Sequence, residues 1–293
     1  MLPKNYSTTN NKERVRIEDT ELIKKEFTKK KRKLSYLGMP SEEILDILAW
    51  KDFFERCSAV EIDAHIRNQL WLNIIKAGLD GKVSILFGDI EDILIKGKDG
   101  FKNQLQFPYD VVFLDCFGSI LYPELKRIKA ITTLIEKQRG NQFLLLLTFN
   151  IRERNYCSHS IDEFLRKLEL ELSAYYLHDE KVKTKICKVI DWYKSDNTEE
   201  MYRYKLFTPY LIKTMAEERG FNVHVYPPIF YSGFNESPMI HFAFKLMPGE
   251  ESPTKEVSKQ TVFDIINLNI KEASKGRVFV IKKQAPTLKI MIG

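Results

Sequence analysis

Residues 57–89 read CSAVEIDAHIRNQLWLNIIKAGLDGKVSILFGD and contain one complete strand–helix–strand unit. The apolar run at Cys57–Ile62 has the length of a buried strand, and a second such run lies at Lys82–Phe87. Between them, residues 64–77 carry apolar side chains at helical spacing and end before a glycine. Because both strands are apolar along their length, we expect them to be parallel and covered by helices on both faces.

The same alternation of strands and helices continues on both sides of this unit. Three further strand-like runs lie at Leu34–Gly38, Asp110–Leu114 and Gln142–Phe149. Phe221–Phe230 and Met239–Met247 follow as two strands whose short connection suits an antiparallel pair. The sequence therefore predicts an α/β fold with a mostly parallel, seven-stranded sheet, a C-terminal antiparallel hairpin and helices on both faces.

Helical patterns connect the strands. One helix is expected to begin at Ser41, which can cap it, and its apolar face runs to about Glu55. Further helices are predicted over Leu121–Lys137 and Glu199–Arg219.

Length and composition predict a soluble globular protein. The chain has 293 residues, of which 44% are hydrophobic and 29% charged, and these values are ordinary for such proteins. No apolar run approaches the ~20 residues of a membrane helix, and the N-terminus lacks the apolar core of a secretory signal, so a cytoplasmic location is expected. The pattern divides the chain into a basic N-terminal arm (1–33), a main domain (34–249) with a helical insert at about 176–219, and a C-terminal extension (250–293).

The positive charge is concentrated in one segment. Lys and Arg number 46 against 40 for Asp and Glu, and Lys24–Lys33 holds seven bases and one acid, which equals the whole net charge of +6. A basic segment beside a neutral body suits the phosphate backbone of a nucleic acid, and the alternative is a solvated lead-in to the fold. The candidate nucleic-acid-binding residues are Lys29, Lys30, Lys31, Arg32 and Lys33.

Cysteine and histidine spacing gives no support for a metal site. The four cysteines form no C-x-x-C pair, and the five histidines form no H-x-x-x-H or H-x-E pattern. Free thiols in a reducing compartment are the expected state of the cysteines, and no metal is expected.

Acidic residues follow three of the predicted strands where those strands end. Glu61 and Asp63 close one strand, Asp89 follows the next, and Asp115 follows the one after that. Ligands of parallel sheets bind at the carboxyl ends of the strands, and acids there must be solvated or paired. A nucleoside ligand accounts for them, with one carboxylate for ribose hydroxyls and one acceptor for an exocyclic amine. The alternative for Asp63 and Asp89 is capping of the helices that follow.

With these motifs, residues 34–247 resemble the class I S-adenosylmethionine-dependent methyltransferases, which implies a Rossmann-like fold and S-adenosylmethionine as the cofactor. The resemblance rests on the element order and on the strand-end motifs VEID, FGDI and DCFGS. It implies that Glu61, with Asp63 as the near alternative, binds the cofactor ribose, and that Asp89 accepts from the adenine amine. The full set of implied cofactor-binding residues is Tyr36, Gly38, Glu61, Ile62, Asp89, Ile90 and Asp115.

The motif DCFGS at 115–119 is similar to the D/N-P-P-Y motif of enzymes that methylate amino groups, and closer to the D-P-F-G form of tRNA guanine dimethyltransferases. On that resemblance Asp115, or the carbonyl of Cys116, accepts from the target amine, and Phe117 stacks on the base. These implied catalytic residues favour methylation of an amino group of a nucleic-acid base, RNA before DNA. A further alternative, which lacks the usual Pro-Cys context, has Cys116 as a nucleophile for cytosine C5.

The turn after the first strand departs from the family pattern. The family has an acid and a glycine-rich turn here, whereas residues 36–41 read YLGMPS, with one glycine and no acid. Glycines let a backbone approach a ligand closely, so either this loop binds the cofactor by another path or the domain has lost the cofactor. Two rivals therefore stand beside the enzyme. One is a methyltransferase-like domain without turnover that serves as a nucleic-acid scaffold or binds a protein partner or a second copy, and the other is a small-molecule methyltransferase.

Two further segments are candidates for substrate contacts. Tyr175–Lys205 interleaves aromatic and basic residues, which suits single-stranded nucleic acid or, alternatively, an amphipathic helical cover with snorkelling lysines. Asn150–Asn155 follows the fifth strand and is a candidate lining of the substrate mouth.

Overall fold

The computed structural model describes residues 10–30, 32–116, 120, 126–150, 200–232, 238–249 and 280–281. The predictions for Lys31, Phe117, residues 151–155, residues 175–199 and most of the C-terminal extension fall outside these ranges. The helices are α1 (Asn10–Phe27), α2 (Leu45–Trp50), α3 (Ala64–Lys76), α4 (Ile90–Lys96), α5 (Lys126–Lys137) and α6 (Glu200–Glu217). The strands are β1 (Leu34–Gly38), β2 (Phe54–Glu61), β3 (Val83–Phe87), β4 (Val111–Cys116), β5 (Phe143–Asn150), β6 (Phe221–Val225), β7 (Ile229–Ser232), β8 (Pro238–Pro248) and β9 (Val280–Ile281).

The described strands form one sheet in the order β3-β2-β1-β4-β5-β8-β7-β9, and β6 also pairs with β8. Strands β1 to β5 are parallel to one another, and β8 runs antiparallel to β5, β6 and β7. Gly38 of β1 lies opposite Ala59 of β2 and Phe113 of β4, so the carboxyl ends of these strands meet at one edge. The predicted α/β fold with a mostly parallel sheet and a C-terminal antiparallel part is confirmed.

The sheet has nine strands among the described residues rather than the predicted seven. The strand predicted at Phe221–Phe230 is divided into β6 and β7 around Pro227 and Pro228, whose nitrogens carry no hydrogen for a ladder bond. The ninth strand, β9, belongs to the C-terminal extension and pairs parallel with β7.

Helices cover both faces of the sheet, as predicted. On one face α1, α2 and α3 pack on a buried cluster that includes Tyr36, Trp50 and Leu144. On the other face α4, α5 and α6 pack on a second cluster that includes Leu145 and Leu147. Alternate residues of β5 therefore enter different clusters, which explains why this strand is apolar along almost its whole length.

Residues 10–27, within the segment predicted as a basic arm, form α1 and pack on the sheet. The buried residues of α1 recur every four positions and are Val15, Asp19, Ile23 and Phe27. Near its end, Glu26 pairs with Lys245 of β8 at 2.7 Å. The face of the sheet that α2 and α3 cover is thus also covered by α1, a helix that precedes β1. Neither α1 nor any other helix in the described ranges is long and apolar enough to cross a membrane.

The helix predicted from Ser41 to about Glu55 is wrong at both ends. Helix α2 has only six residues, the residue before it, Ile44, has a left-handed φ of 50°, and no side chain caps it. Phe54 belongs to β2, where its ring stacks on Tyr36 with 5.2 Å between centroids. The buried residues of a short helix and of the following strand lie close together along the chain, so their combined pattern imitates one longer helix.

Candidate functional site

The carboxyl ends of β2 and β3 bring Glu61 and Asp89 to neighbouring positions of the same sheet edge. Glu61 lies opposite Phe87 in the parallel register, and the Gly88 N–H donates to the Glu61 carbonyl at 3.0 Å. Gly88 has a φ of 144°, which residues with a side chain rarely adopt. This turn leads directly from the strand into α4, with Asp89 at the helix start.

The Glu61 carboxylate is oriented by backbone groups. Its Oε1 accepts the N–H of Asp63 at 2.8 Å. Burial raises the pKa of Glu61, and the N–H groups of Asp63 and Ile62 oppose part of that rise. Asp63 caps α3, because its Oδ1 accepts the N–H groups of His65 and Ile66, and this distinguishes the two acids that the sequence left as alternatives. Ile62, between them, is 62% exposed.

Asp89 caps α4 and also binds a lysine. Its Oδ1 accepts the N–H of Asp92 at 3.0 Å and a hydrogen from Lys126 Nζ at 3.0 Å. Partial burial alone would raise the pKa of Asp89, but these donors outweigh it, so the pKa lies below its usual value. The Asp89 side chain is 38% exposed and accessible to a ligand, whereas Ile90 is buried in the core.

At the end of β4, Asp115 pairs with a lysine of α1. Lys12 Nζ lies 2.7 Å from Asp115 Oδ2, and the two side chains are 13% and 25% exposed. One turn further along α1, Arg16 pairs with Asp46 of α2 at 2.6 Å. Burial raises the pKa of Asp46, although the Arg16 guanidinium opposes the rise. The first two turns of α1 therefore lie against the carboxyl end of β4.

The cavity at this part of the edge is small. Its volume is about 50 Å³, and its walls are α1, α2, the loop after β1, Asp115 and Tyr231. Ligand pockets usually measure about 300–1,000 Å³, so this cavity admits water-sized molecules and excludes a nucleoside. Neither Glu61 nor Asp89 lines it. The structure thus brings the three predicted acids to one edge without one cavity that joins them.

Tyr36 and Gly38 pack against each other inside the protein. Tyr36 is fully buried, with its ring stacked on Phe54 and in edge contact with Trp50. A Cβ at position 38 would overlap the Tyr36 hydroxyl, so this packing requires a glycine whether or not a ligand binds. The hydroxyl has no hydrogen-bond partner among the described residues, and burial raises its pKa well above the usual value. Tyr36, predicted to contact the cofactor, therefore lies in the core.

The Cys116 thiol lies on the opposite side of the sheet from Asp115. It is 5% exposed and belongs to the cluster under α4, α5 and α6. Burial raises its pKa to about 12, so the thiol is protonated near neutral pH and is a poor nucleophile. This geometry gives no support to Cys116 as a nucleophile for cytosine C5. Among the described residues, no group of three or more His, Cys, Asp or Glu is placed to hold a metal ion.

A buried hydrogen-bonded chain ties α1 to the sheet. His241 Nε2 lies 2.9 Å from Asp19 Oδ1, and His241 Nδ1 lies 2.9 Å from Thr148 Oγ1. Sequence analysis missed these residues, as it missed Lys12 and Arg16. The sequence signal for Asp19 was its four-residue spacing from Val15 and Ile23, which places the three residues on one face of α1.

Four of the predicted nucleic-acid-binding residues, Lys29, Lys30, Arg32 and Lys33, are described and lie at the other edge of the sheet. Arg32 Nη1 and Nη2 each donate to one carboxylate oxygen of Asp110 at 2.9 Å, and Lys30 binds the same carboxylate. Lys29 and Lys33 are exposed. Because Asp110 precedes β4 and Asp115 lies near its end, the length of this strand separates the basic residues from the acids.

Comparison with known proteins finds distant similarity among solved structures. No family model matches the chain, and no curated protein matches its sequence. An O-methyltransferase from Bacillus cereus in complex with SAH is 13% identical, with 83% of this chain and 84% of that chain covered and a TM-score of 0.45. A putative RNA methyltransferase from Pyrococcus horikoshii is 10% identical, with 84% and 90% covered and a TM-score of 0.44. An SAH-bound methyltransferase from Podospora anserina is 13% identical, with 79% and 78% covered and a TM-score of 0.40.

The order and direction of the strands give the type of fold. Five parallel strands, β3-β2-β1-β4-β5, are extended by antiparallel strands that begin with β8, as the resemblance in sequence implies. The chain has a Rossmann-like α/β fold. The edge that carries Glu61, Asp89 and Asp115 is the one at which parallel α/β sheets bind their ligands.

Proposed function

We propose that the protein binds S-adenosylmethionine at the carboxyl ends of β1 to β4 and transfers its methyl group to an amino group of a nucleic-acid base, with RNA favoured by the DCFG motif. The observation that carries the proposal is the pair of acids Glu61 and Asp89 on neighbouring strand ends. Glu61 is held by the Asp63 N–H, and Asp89 is accessible. Exposed Ile62 offers an apolar contact next to Glu61.

These residues fit the adenosine half of the cofactor. An ionised Glu61 can accept hydrogen bonds from two ribose hydroxyls, Ile62 can cover a base face, and Asp89 can accept from an exocyclic amine. The methionine half would extend toward β1 and β4, where the cavity measures about 50 Å³ and Lys12 binds Asp115. Binding of the whole cofactor therefore requires the first turns of α1 to move aside.

Asp115 has the role of amine acceptor in this proposal. S-adenosylmethionine supplies a methyl group activated by a positively charged sulfur. A carboxylate that accepts a hydrogen from the target amine fixes the direction of its lone pair, and such positioning supplies much of the reduction in barrier. Lys12 Nζ now lies 2.7 Å from Asp115, at the place that the proposal gives to the target nitrogen.

The cofactor assignment predicts the effect of two substitutions. Glu61→Ala and Asp89→Ser should each weaken S-adenosylhomocysteine binding by at least tenfold, because each removes a charged acceptor whose hydrogen bonds contribute about 1.5–3 kcal/mol. Serine at position 89 preserves a capping oxygen for α4. Isothermal titration calorimetry measures the affinities, and Asp63→Ser, which alters only the cap of α3, is the matched control. Unchanged affinity in both Glu61→Ala and Asp89→Ser would refute the adenosine site.

A second candidate function, a methyltransferase-like scaffold without turnover, is supported by the Lys12–Asp115 pair and by the glycine-poor turn that Tyr36 and Gly38 fill. In a scaffold the pair would be a permanent part of the structure. In an enzyme the target amine must displace Lys12.

Lys12→Met distinguishes these two functions. Methionine preserves the apolar stem of lysine and leaves Asp115 open. For an enzyme we expect the apparent substrate affinity to rise by about tenfold, because the fraction of molecules with a free acceptor rises. Methyl transfer from labelled cofactor to total RNA measures this effect, and Arg14→Met, which removes an exposed charge from the same helix, is the control. Absence of transfer in Lys12→Met as well as in the native chain would favour the scaffold.

A further inference from the structure

An open groove lies at the edge of the sheet opposite Glu61 and Asp115. It is bounded by the last turn of α1, the segment before β1 and the turn between α2 and β2, and its volume is about 340 Å³. We name it the basic groove, because bases predominate among its polar lining residues. Its lining includes two aromatic residues and four bases: Phe27, Phe53, Lys24, Lys30, Arg32 and Lys33.

Two of the bases are held in place by a buried acid. Asp110 accepts two hydrogen bonds from the Arg32 guanidinium, each at 2.9 Å, and is also bound by Lys30 and by the Ser35 N–H. The Asp110 side chain is 4% exposed. One carboxylate thus orients two cations and leaves a net positive charge at the groove.

Lys33 and Lys24 add exposed positive charge that a ligand can reach. Lys33 is exposed, and its side chain has no acidic partner among the described residues. Lys24 pairs with Glu21 on the surface of α1, where both side chains are at least half exposed, and such a pair contributes little and exchanges readily. Asp52 is the acid among the described lining residues, so the bases outnumber it.

The wall of the basic groove is aromatic. Phe53 is partly exposed, and no ring in the described part of the chain stacks on it. Phe27 is buried beneath Lys30, whose Nζ lies 4.8 Å from the ring centroid. Aromatic faces interleaved with cations form the usual surface for single-stranded nucleic acid, since bases stack on rings while phosphates meet the charges.

We propose that the basic groove binds single-stranded nucleic acid, with one base on Phe53 and the adjoining phosphates on Lys24 and Lys33. This site goes beyond the proposed methyl transfer and does not depend on it. The five residues of β1 separate the groove from the acidic edge by about 17 Å. A strand that binds in the groove is therefore held at a point remote from any base that reaches Asp115.

The charge contribution is tested with the cofactor-free full chain and a fluorescent oligoribonucleotide, by anisotropy over a series of salt concentrations. Lys24→Gln with Lys33→Gln should weaken binding by about tenfold near physiological salt. It should also reduce the slope of log affinity against log salt by about 1.4, because each phosphate contact on a single strand contributes about 0.7. Lys82→Gln with Lys129→Gln removes two exposed charges elsewhere and should change affinity by less than about twofold.

The stacking contribution is tested with Phe53→Leu, which preserves apolar packing and removes the ring. We expect at least a fivefold loss of affinity, about the smaller end of the effect of losing one base–aromatic stack, with the salt slope unchanged. Lys30 and Arg32 are left intact, because their loss would strand the buried Asp110 charge.

Three outcomes would refute nucleic-acid binding by the basic groove. They are an equal loss of oligoribonucleotide affinity in both lysine double variants, binding of duplex or of a polyglutamate peptide as tight as that of the oligoribonucleotide, and an unchanged affinity in Phe53→Leu. Calorimetry with S-adenosylhomocysteine on the Lys24→Gln, Lys33→Gln variant separates the two sites, because its affinity should equal that of the native chain. If the cofactor binds and the oligoribonucleotide does not, the groove is rejected and the proposed cofactor site stands.

Discussion

Asp115→Asn should lower the rate of methyl transfer by about 10²-fold without weakening the binding of S-adenosylhomocysteine. Asparagine has nearly the same volume as aspartate, but its neutral amide aligns an amine less strongly and offers one acceptor oxygen instead of two. Because the adenosine contacts are assigned to Glu61 and Asp89, the loss should appear in turnover. Single-turnover kinetics at saturating cofactor measure it directly.

The ion pair supplies a control for this prediction. Asp115→Asn also releases Lys12, so some of its effect comes from the rearranged helix. In the double variant with Lys12→Met, the gain expected from Lys12→Met alone should disappear, since both changes act on one pair. A fully additive double variant, or a normal rate in Asp115→Asn, would show that Asp115 does not position the substrate.

Asp110→Ala should lower the free energy of unfolding by about 3 kcal/mol, the largest stability effect we expect from one acid. Asp110 holds Arg32, Lys30 and the buried Ser35 N–H at the start of β4. Its removal leaves the Ser35 donor without a carboxylate partner. Urea unfolding at neutral pH measures the change. Asp80→Ala, at an exposed acid without a partner among the described residues, should change stability by less than about 0.5 kcal/mol.

The same acid predicts how stability depends on pH. Burial alone would raise the pKa of Asp110, but the hydrogen bonds from Lys30, Arg32 and Ser35 outweigh it, so the pKa lies below its usual value. A depressed carboxyl pKa contributes stability above the unfolded value of about 3.9, and this contribution is lost as pH falls through the folded pKa. The stability difference between the native chain and Asp110→Ala should therefore be constant above about pH 5 and shrink below about pH 4. A difference that grows in acid would contradict the assignment.

The parallel half of the fold could be predicted because its signals are local. Strands such as Phe143–Asn150 are apolar along almost their whole length, and helices such as Ala64–Lys76 end just before a glycine. The boundary between α2 and β2 could not, because Trp50 and Phe54 are both buried and their spacing of four also suits a helix. The division of β6 from β7 had a local signal in Pro227 and Pro228 that the apolar pattern concealed.

The candidate site was predictable only in part, for a similar reason. The acids at the strand ends follow from strand assignment, but the sequence gives no means to choose Glu61 over Asp63. The choice depends on which oxygen meets which N–H group. The pair of Lys12 with Asp115 joins residues 103 positions apart, and no spacing within either segment indicates it.

The buried chain from Asp19 through His241 to Thr148 has a mechanical consequence for α1. Toward its C-terminal end, beyond Asp19, the helix is also held by the pair of Glu26 with Lys245. Before Asp19, the helix is held by Lys12, which pairs with Asp115 of β4, and by Arg16, which pairs with Asp46 of α2. Helix ends open at far lower cost than buried cores, so the first turns of α1 can separate from the sheet while the helix from Asp19 onward stays bound. A ligand would then reach the acidic edge without unfolding of the buried part of α1.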